Sequence, residues 1–471
     1  MSANKKVLVV DRTGRGHALV DFFLRTNPGV SVHYVPGTGG IKDKRITVRP
    51  DISWSDVGKV ASYAQAQGID FALVSNPLAL AAGQVDALQA AGIPTLGPTK
   101  AASRLETSKS FGKQVCSRYG IRVAPYRIFG NSDEATNYVA SKTEGCVVKA
   151  DGLCAGAGSF VCRSPRDAIN AVEMLMKKRI FAESGDTIVV EDIVTGIEVS
   201  IFLLLDGQEI VMLPTALDYK RTDDGNRGPN SGGMGSFSPH PLEGPALNSL
   251  VKEQLINPLK VALSGEGLFY KGILYVGAIL SEGKLTVLEF NARIGDPEAE
   301  VILPRISSDF VKTCLEMLDG RLGATSIRAE KIFCCDVVAT QGPTLRYEHG
   351  VSIDDWFSGW PFGEFGRGYR ISGIENVDRS SCSVFIGEAA DDDSLGLVTD
   401  GGRVLHVVGF GRSKAAAVEA AYSNLAKITF PGMRIRRDIG AIYIDETRVT
   451  ERELTERVYG PKDAAPSRHS A

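Results

Sequence analysis

The sequence predicts an α/β fold in more than one domain, opening on a doubly wound unit with a parallel sheet. Three observations lead there. Val7–Val10 is an unbroken aliphatic run, as in a parallel strand covered on both faces. Strand-like and helix-like segments alternate from Lys5 to about Gly97. The chain has 471 residues, more than one hydrophobic core ordinarily serves.

The elements follow in order. His17 to Leu24 has the pattern of an amphipathic helix, and Val57 to Gln67 reads as another, stopped by Gly68. Phe71–Val74 is a second buried strand, and Val85–Ala91 a helix ended by Gly92. After Gly97-Pro98-Thr99 the character changes: Ala101 to Tyr119, rich in Lys, Ser and Ala, predicts one helix. Cys146–Lys149 reads as a strand, Gly152–Gly158 as a glycine-rich hairpin and Phe160–Cys162 as its return. Arg166–Lys178 is expected to be helical, Ile188–Glu191 a strand ending in an acid, and Glu198–Leu205 a half-buried strand turning at Asp206-Gly207 into Glu209–Leu213. From Asp218 to Pro239 apolar residues almost vanish, which predicts a long irregular loop. A helix over 247–263, strands at Ile273–Leu280 and Leu285–Phe290, short strands at Val337–Ala339, Ser383–Ile386 and Leu405–Gly409, and a helix at Ser413–Lys427 complete the pattern. The tail from Lys462 reads as disordered. No internal repeat is visible.

Composition excludes several classes. A formal net charge of −3 offers no broad cationic surface for nucleic acid or anionic membrane. Apolar residues make up 43% of the chain and mean hydropathy is near zero. The eight cysteines include no CxxC pair and no zinc-ligand spacing, so they read as buried thiols of a reducing compartment. The first apolar run is too short for a signal-peptide core, and no other is long enough to span a bilayer; the expectation is a cytoplasmic protein.

Three constellations carry chemistry. In Lys149-Ala-Asp-Gly-Leu-Cys-Ala-Gly-Ala-Gly158 a lysine leaves a strand and enters a turn containing Gly152, Gly156 and Gly158. Backbone N–H groups of such a turn close over a polyphosphate while the lysine neutralises charge. A plain glycine-rich hairpin with a surface lysine is the other reading. In Glu289-Phe-Asn-Ala-Arg-Ile-Gly-Asp-Pro-Glu298, Glu289 and Asn291 lie two apart on a strand and share a face. They are hard oxygen ligands suited to Mg²⁺ shared with nucleotide phosphates. Arg293 is expected to continue that face and reach a phosphoryl oxygen or a carboxylate; a solvated strand face is the alternative. The third is Asp218-Tyr-Lys-Arg through Gly228-Pro-Asn-Ser-Gly-Gly-Met-Gly235, with the composition of a lid over a phosphate site or of a disordered insertion.

These segments resemble the ATP-grasp ligases, and within them the phosphoribosylamine–glycine ligase family. Gly97-Pro-Thr-Lys-Ala-Ala-Ser with Ser108-Lys109, Val147 to Gly158, Asp218-Tyr-Lys-Arg, Gly228 to Gly235, Leu288 to Glu298, Asp400-Gly-Gly-Arg-Val-Leu and Arg436-Arg-Asp-Ile-Gly all look like the family's motifs. The likeness runs to about Gly440. It implies an N-terminal doubly wound domain over 1–105 and an ATP-grasp pair of α+β sheets over 106–328, with a small lid at about 123–193. A small α/β domain over 329–445 and a partly disordered tail over 446–471 follow. It implies ATP and Mg²⁺ (or Mn²⁺) as cofactors, a small carboxylate and an amine as substrates, and a monomer or homodimer. Lys109 and Lys149 would meet the phosphates, Glu191 to Ile193 the adenine, Glu198 the ribose, and Glu289 and Asn291 the metal. Arg293, Asp218 and Lys220 would act at the reacting carboxylate, with Arg221, Asn230, Gly232, Gly233 and Asp296 around it. The carboxylate would become an acyl phosphate, from which an amine displaces phosphate.

The sequence departs from the family pattern where the amine is expected. The first loop, GSGGREHAL in the family, is Asp11-Arg-Thr-Gly-Arg-Gly-His-Ala-Leu19 here, and GPEVPLVAG is Ser75-Asn-Pro-Leu-Ala-Leu-Ala-Ala-Gly83. Two glutamate positions are Gly16 and Pro77, and Asp11 adds negative charge where a phosphate would approach. The lysine of the ATP loop is Ala157. The expectation is a ligase that activates glycine or a similar acid and delivers it to a changed amine in specialised metabolism. An authentic purine-synthesis ligase and a non-catalytic nucleotide-binding homologue are the alternatives.

Overall fold

The computed structural model describes residues 4–342, 365–444 and 447–459; the tail from Lys462 lies outside them. The N-terminal unit runs β1 (Lys6–Asp11), α1 (Gly14–Thr26), β2 (Ser31–Pro36), β3 (Ile46–Val48), α2 (Val57–Gln67), β4 (Phe71–Val74), α3 (Pro77–Ala82), α4 (Gln84–Ala90) and β5 (Thr95–Pro98). Its strands are parallel in the order β5-β4-β1-β2-β3. Local chemistry sets the ends of α2: the Asp56 side chain accepts the Lys59 N–H, and Gly68 closes the helix in the left-handed region at φ 61°.

The single helix expected over 101–119 is two helices, α5 (Arg104–Thr107) and α6 (Lys109–Arg118). Ser108 between them is extended, at φ −141°, and its Oγ caps α6 by accepting the Phe111 N–H. The same hydroxyl donates to Asp151 at 3.0 Å. A helix-forming stretch is thus broken to tie its second half to the glycine-rich turn.

The next unit is an antiparallel sheet, β6 (Tyr126–Phe129), β7 (Cys146–Ala150), β8 (Ser159–Cys162) and β9 (Ile188–Asp192), in the order β6-β9-β7-β8. The helices α7 (Ser132–Ala140) and α8 (Pro165–Val172) complete it, and they close a small core of their own with residues such as Val139, Val148, Leu175 and Val190. A reciprocal Ser164–Asp167 capping box starts α8.

Strand β10 (Ile197–Asp206) was expected to be half-buried, yet only Glu198 on it is exposed. It lies between β11 (Ile210–Met212) and β16 (Tyr270–Ser281), with cores on both faces: Val199, Ile201, Leu203 and Leu205 join one, Phe202 and Leu204 the other. The stretch expected as an irregular loop holds two short ladders. The outer one pairs β12 (Leu217–Asp218) with β15 (Gly235–Ser238), and the inner one pairs β13 (Arg221–Asp223) with β14 (Arg227–Asn230). Polar residues make these strands because their partners are backbone groups, as where Ser231 donates its N–H to Lys220 O at 2.8 Å. The helices α9 (Pro245–Val251) and α10 (Asn257–Gly265) precede β16, and β17 (Lys284–Asn291), α11 (Ala299–Ile302) and α12 (Phe310–Leu318) follow it.

The last unit carries β18 (Phe333–Gln341), β19 (Cys382–Ile386), β20 (Ala389–Asp392), β21 (Gly396–Thr399), β22 (Arg403–Gly411) and α13 (Lys414–Leu425). Its main sheet continues through the loop strands in the order β12-β15-β18-β22-β19. Strand β16 also pairs with β5, Tyr270 with Pro98 and Lys271 with Gly97. The N-terminal sheet and the β10–β16 ladder are therefore parts of one nine-stranded sheet. All eight cysteines are buried and free. Among the described residues no helix is long and apolar enough to cross a membrane.

Candidate active site

The loops of all four units open on one cleft of about 930 Å³. On one side the glycine-rich turn between β7 and β8 carries Gly152, Gly156 and Gly158. Gly156 sits at φ 82°, and a Cβ there would stand 2.8 Å from the Gly232 Cα. The turn therefore rests directly on the backbone of the β14–β15 loop. Asn230 adds a second tie, its Nδ2 donating to Ser159 O at 3.3 Å. Ala157 is buried, so the charged groups beside this turn are Lys109, whose Nζ reaches Gly152 O at 3.2 Å, and Lys149.

Lys149 does not stand alone. Its Nζ lies 3.0 Å from Glu191 Oε1, and Lys113 Nζ lies 3.0 Å from the same oxygen. Burial, and next the Lys149 charge, pull Lys113 down to about 8 against the attraction of Glu191. The carboxylate expected near adenine is thus buried and committed to two lysines, and Glu191, Asp192 and Ile193 line the cleft as a strand end. Lys113 went unread in the sequence, although it falls four residues after Lys109 and so shares its helix face.

Glu289 and Asn291 share one face of β17, as expected. Glu289 is pulled down to about 2: burial opposes its charge, but Lys220, Lys149, Lys109 and Arg293 outweigh that. Lys220 spans two acids, 3.4 Å from Glu198 Oε2 and 3.7 Å from Glu289 Oε1. The Arg293 expectation needs correction. The strand ends at Asn291 and the chain bends back, with Arg293 N–H donating to Asn291 O at 2.7 Å. From beyond the strand its guanidinium reaches Asn291 Oδ1 at 3.0 Å and pairs with Glu106 at 3.1 Å. Glu106, also missed, accepts the Ala292 N–H as well and holds the arginine over the cleft. One lone pair of the Asn291 oxygen stays available beside the Glu289 carboxylate. An all-oxygen pair of this kind fits Mg²⁺.

Asp218 and Glu298 form the far wall. Burial, and then the Glu298 charge, raise Asp218 well above the usual carboxylate range, and Glu298 is raised chiefly by burial. Arg221 lines the cleft but turns back to Gly228 O at 2.8 Å across its own hairpin. Gly232 O accepts from Arg403 at 2.6 Å, and Gly233 packs against Pro297 and Asp218. Asp296 was expected to meet substrate; its side chain is only 2% exposed and faces Arg403 at 2.9 Å. Arg403 lies inside a segment that the sequence singled out without assigning it a role.

The first loop also corrects an expectation. Asp11 projects no charge into the cleft: it is fully buried and ion-paired with Arg15 at 2.8 Å, and it accepts the N–H groups of Arg12 and Thr13 at 2.7 and 2.9 Å. Tyr34 lies against Gly16 and donates to Thr13 O at 3.1 Å. The cleft rim here carries Trp54, Pro77 and Leu78, with acids from the opposite unit, Glu388 and Asp400. Arg12 and Arg367 flank Asp400 at 3.1 and 3.4 Å.

Comparison with known proteins places this geometry in a family. The phosphoribosylglycinamide synthetase models match in three parts: the N domain over residues 5–106, the ATP-grasp (A) domain over 107–299 and the C domain over 358–442. The chain is 36% identical over 441 residues to a phosphoribosylamine–glycine ligase of Caldanaerobacter subterraneus, covering 93% of this chain and 100% of that one. It is also 36% identical to the enzyme of that name from Ralstonia nicotianae, covering 92% and 98%. The crystal structure of phosphoribosylamine–glycine ligase from Thermotoga maritima superposes with a TM-score of 0.72 at 28% identity, covering 92% of this chain and 99% of that one. A biotin carboxylase from Campylobacter jejuni, at TM-score 0.65 and 13% identity, shares the fold. The chain belongs to the phosphoribosylamine–glycine ligase family and is an ATP-grasp ligase that forms a C–N bond.

Proposed function

We propose that the protein joins glycine to phosphoribosylamine, as its relatives' names state of them, and does so at the expense of ATP. The observation that carries this is the continuity of the cleft from the lysine-lined turn to the rim of Arg12, Arg367 and Asp400. One end supplies charge for a triphosphate, the other a cationic pair for a sugar phosphate. Lys109 and Lys149 would hold the nucleotide phosphates, the 191–193 strand end the base, and Glu198 the ribose. Arg293 would take the glycine carboxylate, with Lys220 beside it. The acidic pair Asp218 and Glu298 would take the glycine ammonium. A Mg²⁺ held by Glu289 and Asn291, or Mn²⁺ on the same donors, would withdraw charge from phosphoryl oxygens. The chain's own part is alignment and charge neutralisation.

This reading is preferred to a changed amine. The substituted loop is internally balanced, Asp11 by Arg15, and acidic groups reach the rim from Glu388 and Asp400. One observation keeps the second reading in play: Asp11 already occupies the N–H groups of Arg12 and Thr13, which leaves those two unable to bind an anion. The assembled lysines and the Glu289–Asn291 pair support turnover over a non-catalytic role. We further propose domain divisions near 105 and 328, a lid at about 123–193, and work in the cytoplasm as a monomer or homodimer.

The test is ADP release with ATP, Mg²⁺ and glycine, with and without freshly generated phosphoribosylamine. Strong stimulation by phosphoribosylamine is expected. Its absence, from protein that binds ATP, would overturn the choice of amine.

A further inference from the structure

Below the floor of the cleft a second polar cluster lies where α1, the turn after β17 and the C-terminal sheet meet. Asp296, Glu300 and His406 each offer a ligand atom within 4.8 Å of the others. Ligands ~2.1 Å from a shared ion stand ~3–4 Å apart, so small side-chain rotations suffice. All three are interior: Glu300 and His406 side chains are 0% and 1% exposed, and Asp296 2%.

Three features distinguish this cluster from a satisfied buried network. Both oxygens of Glu300 lack a hydrogen-bond partner. Such atoms are rare in an interior unless something is to meet them. The His406 ring is oriented: Asp336, diagonal to it across the β18–β22 ladder, lies 2.8 Å from Nδ1. With Nδ1 committed to Asp336, Nε2 is the ring nitrogen that faces Asp296, 3.6 Å away. A carboxylate that orients a histidine through its far nitrogen is the usual support of a metal ligand. The backbone also makes room here, since a Cβ on Gly14 would overlap both the His406 ring and the Glu300 carboxylate.

We propose that Asp296, Glu300 and His406 bind one divalent transition-metal ion, with Asp336 as the positioning residue. Two carboxylates and an imidazole favour Zn²⁺, Mn²⁺ or Fe²⁺ over Mg²⁺, which prefers oxygen alone. The site is separate from Glu289 and Asn291. It fastens the turn that carries Asp296, α11 with Glu300, and β22 to one another, and so supports the cleft floor from below.

Co²⁺ is the probe, because it takes zinc-type sites and gives a visible d–d absorption. The full chain, stripped of metal and free of nucleotide, is titrated with Co²⁺, and the purified protein is assayed for bound metal by mass spectrometry. One equivalent of Co²⁺ with visible absorption is expected in the parent and in Glu289→Ala, and its loss in Glu300→Gln and His406→Asn, with folding followed by circular dichroism. Metal removal is expected to lower the parent's melting temperature, and Zn²⁺ to restore it. A parent that takes up no Co²⁺ and carries no stoichiometric metal would overturn the proposal, whatever the variants do. So would a spectrum that persists in both folded variants or disappears in Glu289→Ala alone.

Discussion

Replacing Glu191 by glutamine tests the buried lysine pair behind the nucleotide side of the cleft. Glu191 sits on β9 between β6 and β7, 3.0 Å from both Lys113 and Lys149. Lys113 is held at about 8 against an ordinary 10.5. The folded chain therefore disfavours its charged form, and this destabilisation is fully present below pH 8 and fades as pH rises toward 10.5. Glu191→Gln removes the attraction that keeps Lys113 charged and moves its folded value lower still. For Lys113 alone the added cost is at most ~1.4 kcal/mol at pH 7 and ~2.7 at pH 6, and it vanishes near pH 9. Weakened charged hydrogen bonding to Lys149 adds ~1.5–3 kcal/mol. The sum is ~3–6 kcal/mol near pH 6–7, of the order seen when one partner of a buried ion pair is removed. Amide hydrogen exchange of β7 and β9, corrected for intrinsic rates, should show protection ~10²–10⁴-fold below the parent at pH 6–7, with the deficit shrinking toward pH 9. Protection within threefold of the parent at pH 6, or a deficit that does not change with pH, would refute the reasoning.

Glu289→Ala should reduce Mg²⁺-dependent ADP formation by ~10³-fold or more while leaving the melting temperature near the parent's, as read by coupled turnover and calorimetry. Glu106→Gln should release Arg293, raising the KM for glycine about tenfold with a smaller effect on the KM for ATP; equal changes in both would count against Arg293 as the carboxylate contact. Asp11→Asn strips Arg15 of its charged partner and should destabilise the chain by ~3–5 kcal/mol in denaturant melts. Gly156→Val, at a positive φ and against Gly232, should raise the KM for ATP by holding the turn off the opposite loop.

The fold was legible in the sequence wherever burial is two-sided and local. Val7–Val10 and Phe71–Val74 announce themselves by unbroken apolarity, and Gly68 marks the end of α2. Segments whose structure depends on distant partners were misread. Ser108 looks like any helix serine until Asp151 is placed beside it, and the Asp218–Pro239 stretch forms strands through backbone pairing that its polar side chains do not signal. In the site, motif spacing brought Glu289, Asn291, Lys149 and Lys109 into view. Glu106 carries no local signature, and neither the register of Lys113 with Lys109 nor the segment around Arg403 assigns a role; each acts through a residue far off in the chain. The Asp11 substitution was visible, but its neutralisation by Arg15 four residues on depends on an interior that sequence alone does not reveal.

The pairing of β5 with β16 has a practical consequence for anyone cutting the chain. The join rests on two residue pairs, Tyr270 with Pro98 and Lys271 with Gly97, so a fragment ending near residue 105 would carry β5 as an open flank. Unpaired strand flanks recruit other copies. Such a fragment should self-associate, and full-length protein clipped in this region should stay together through the sheet, its two pieces migrating as one particle until denaturant separates them.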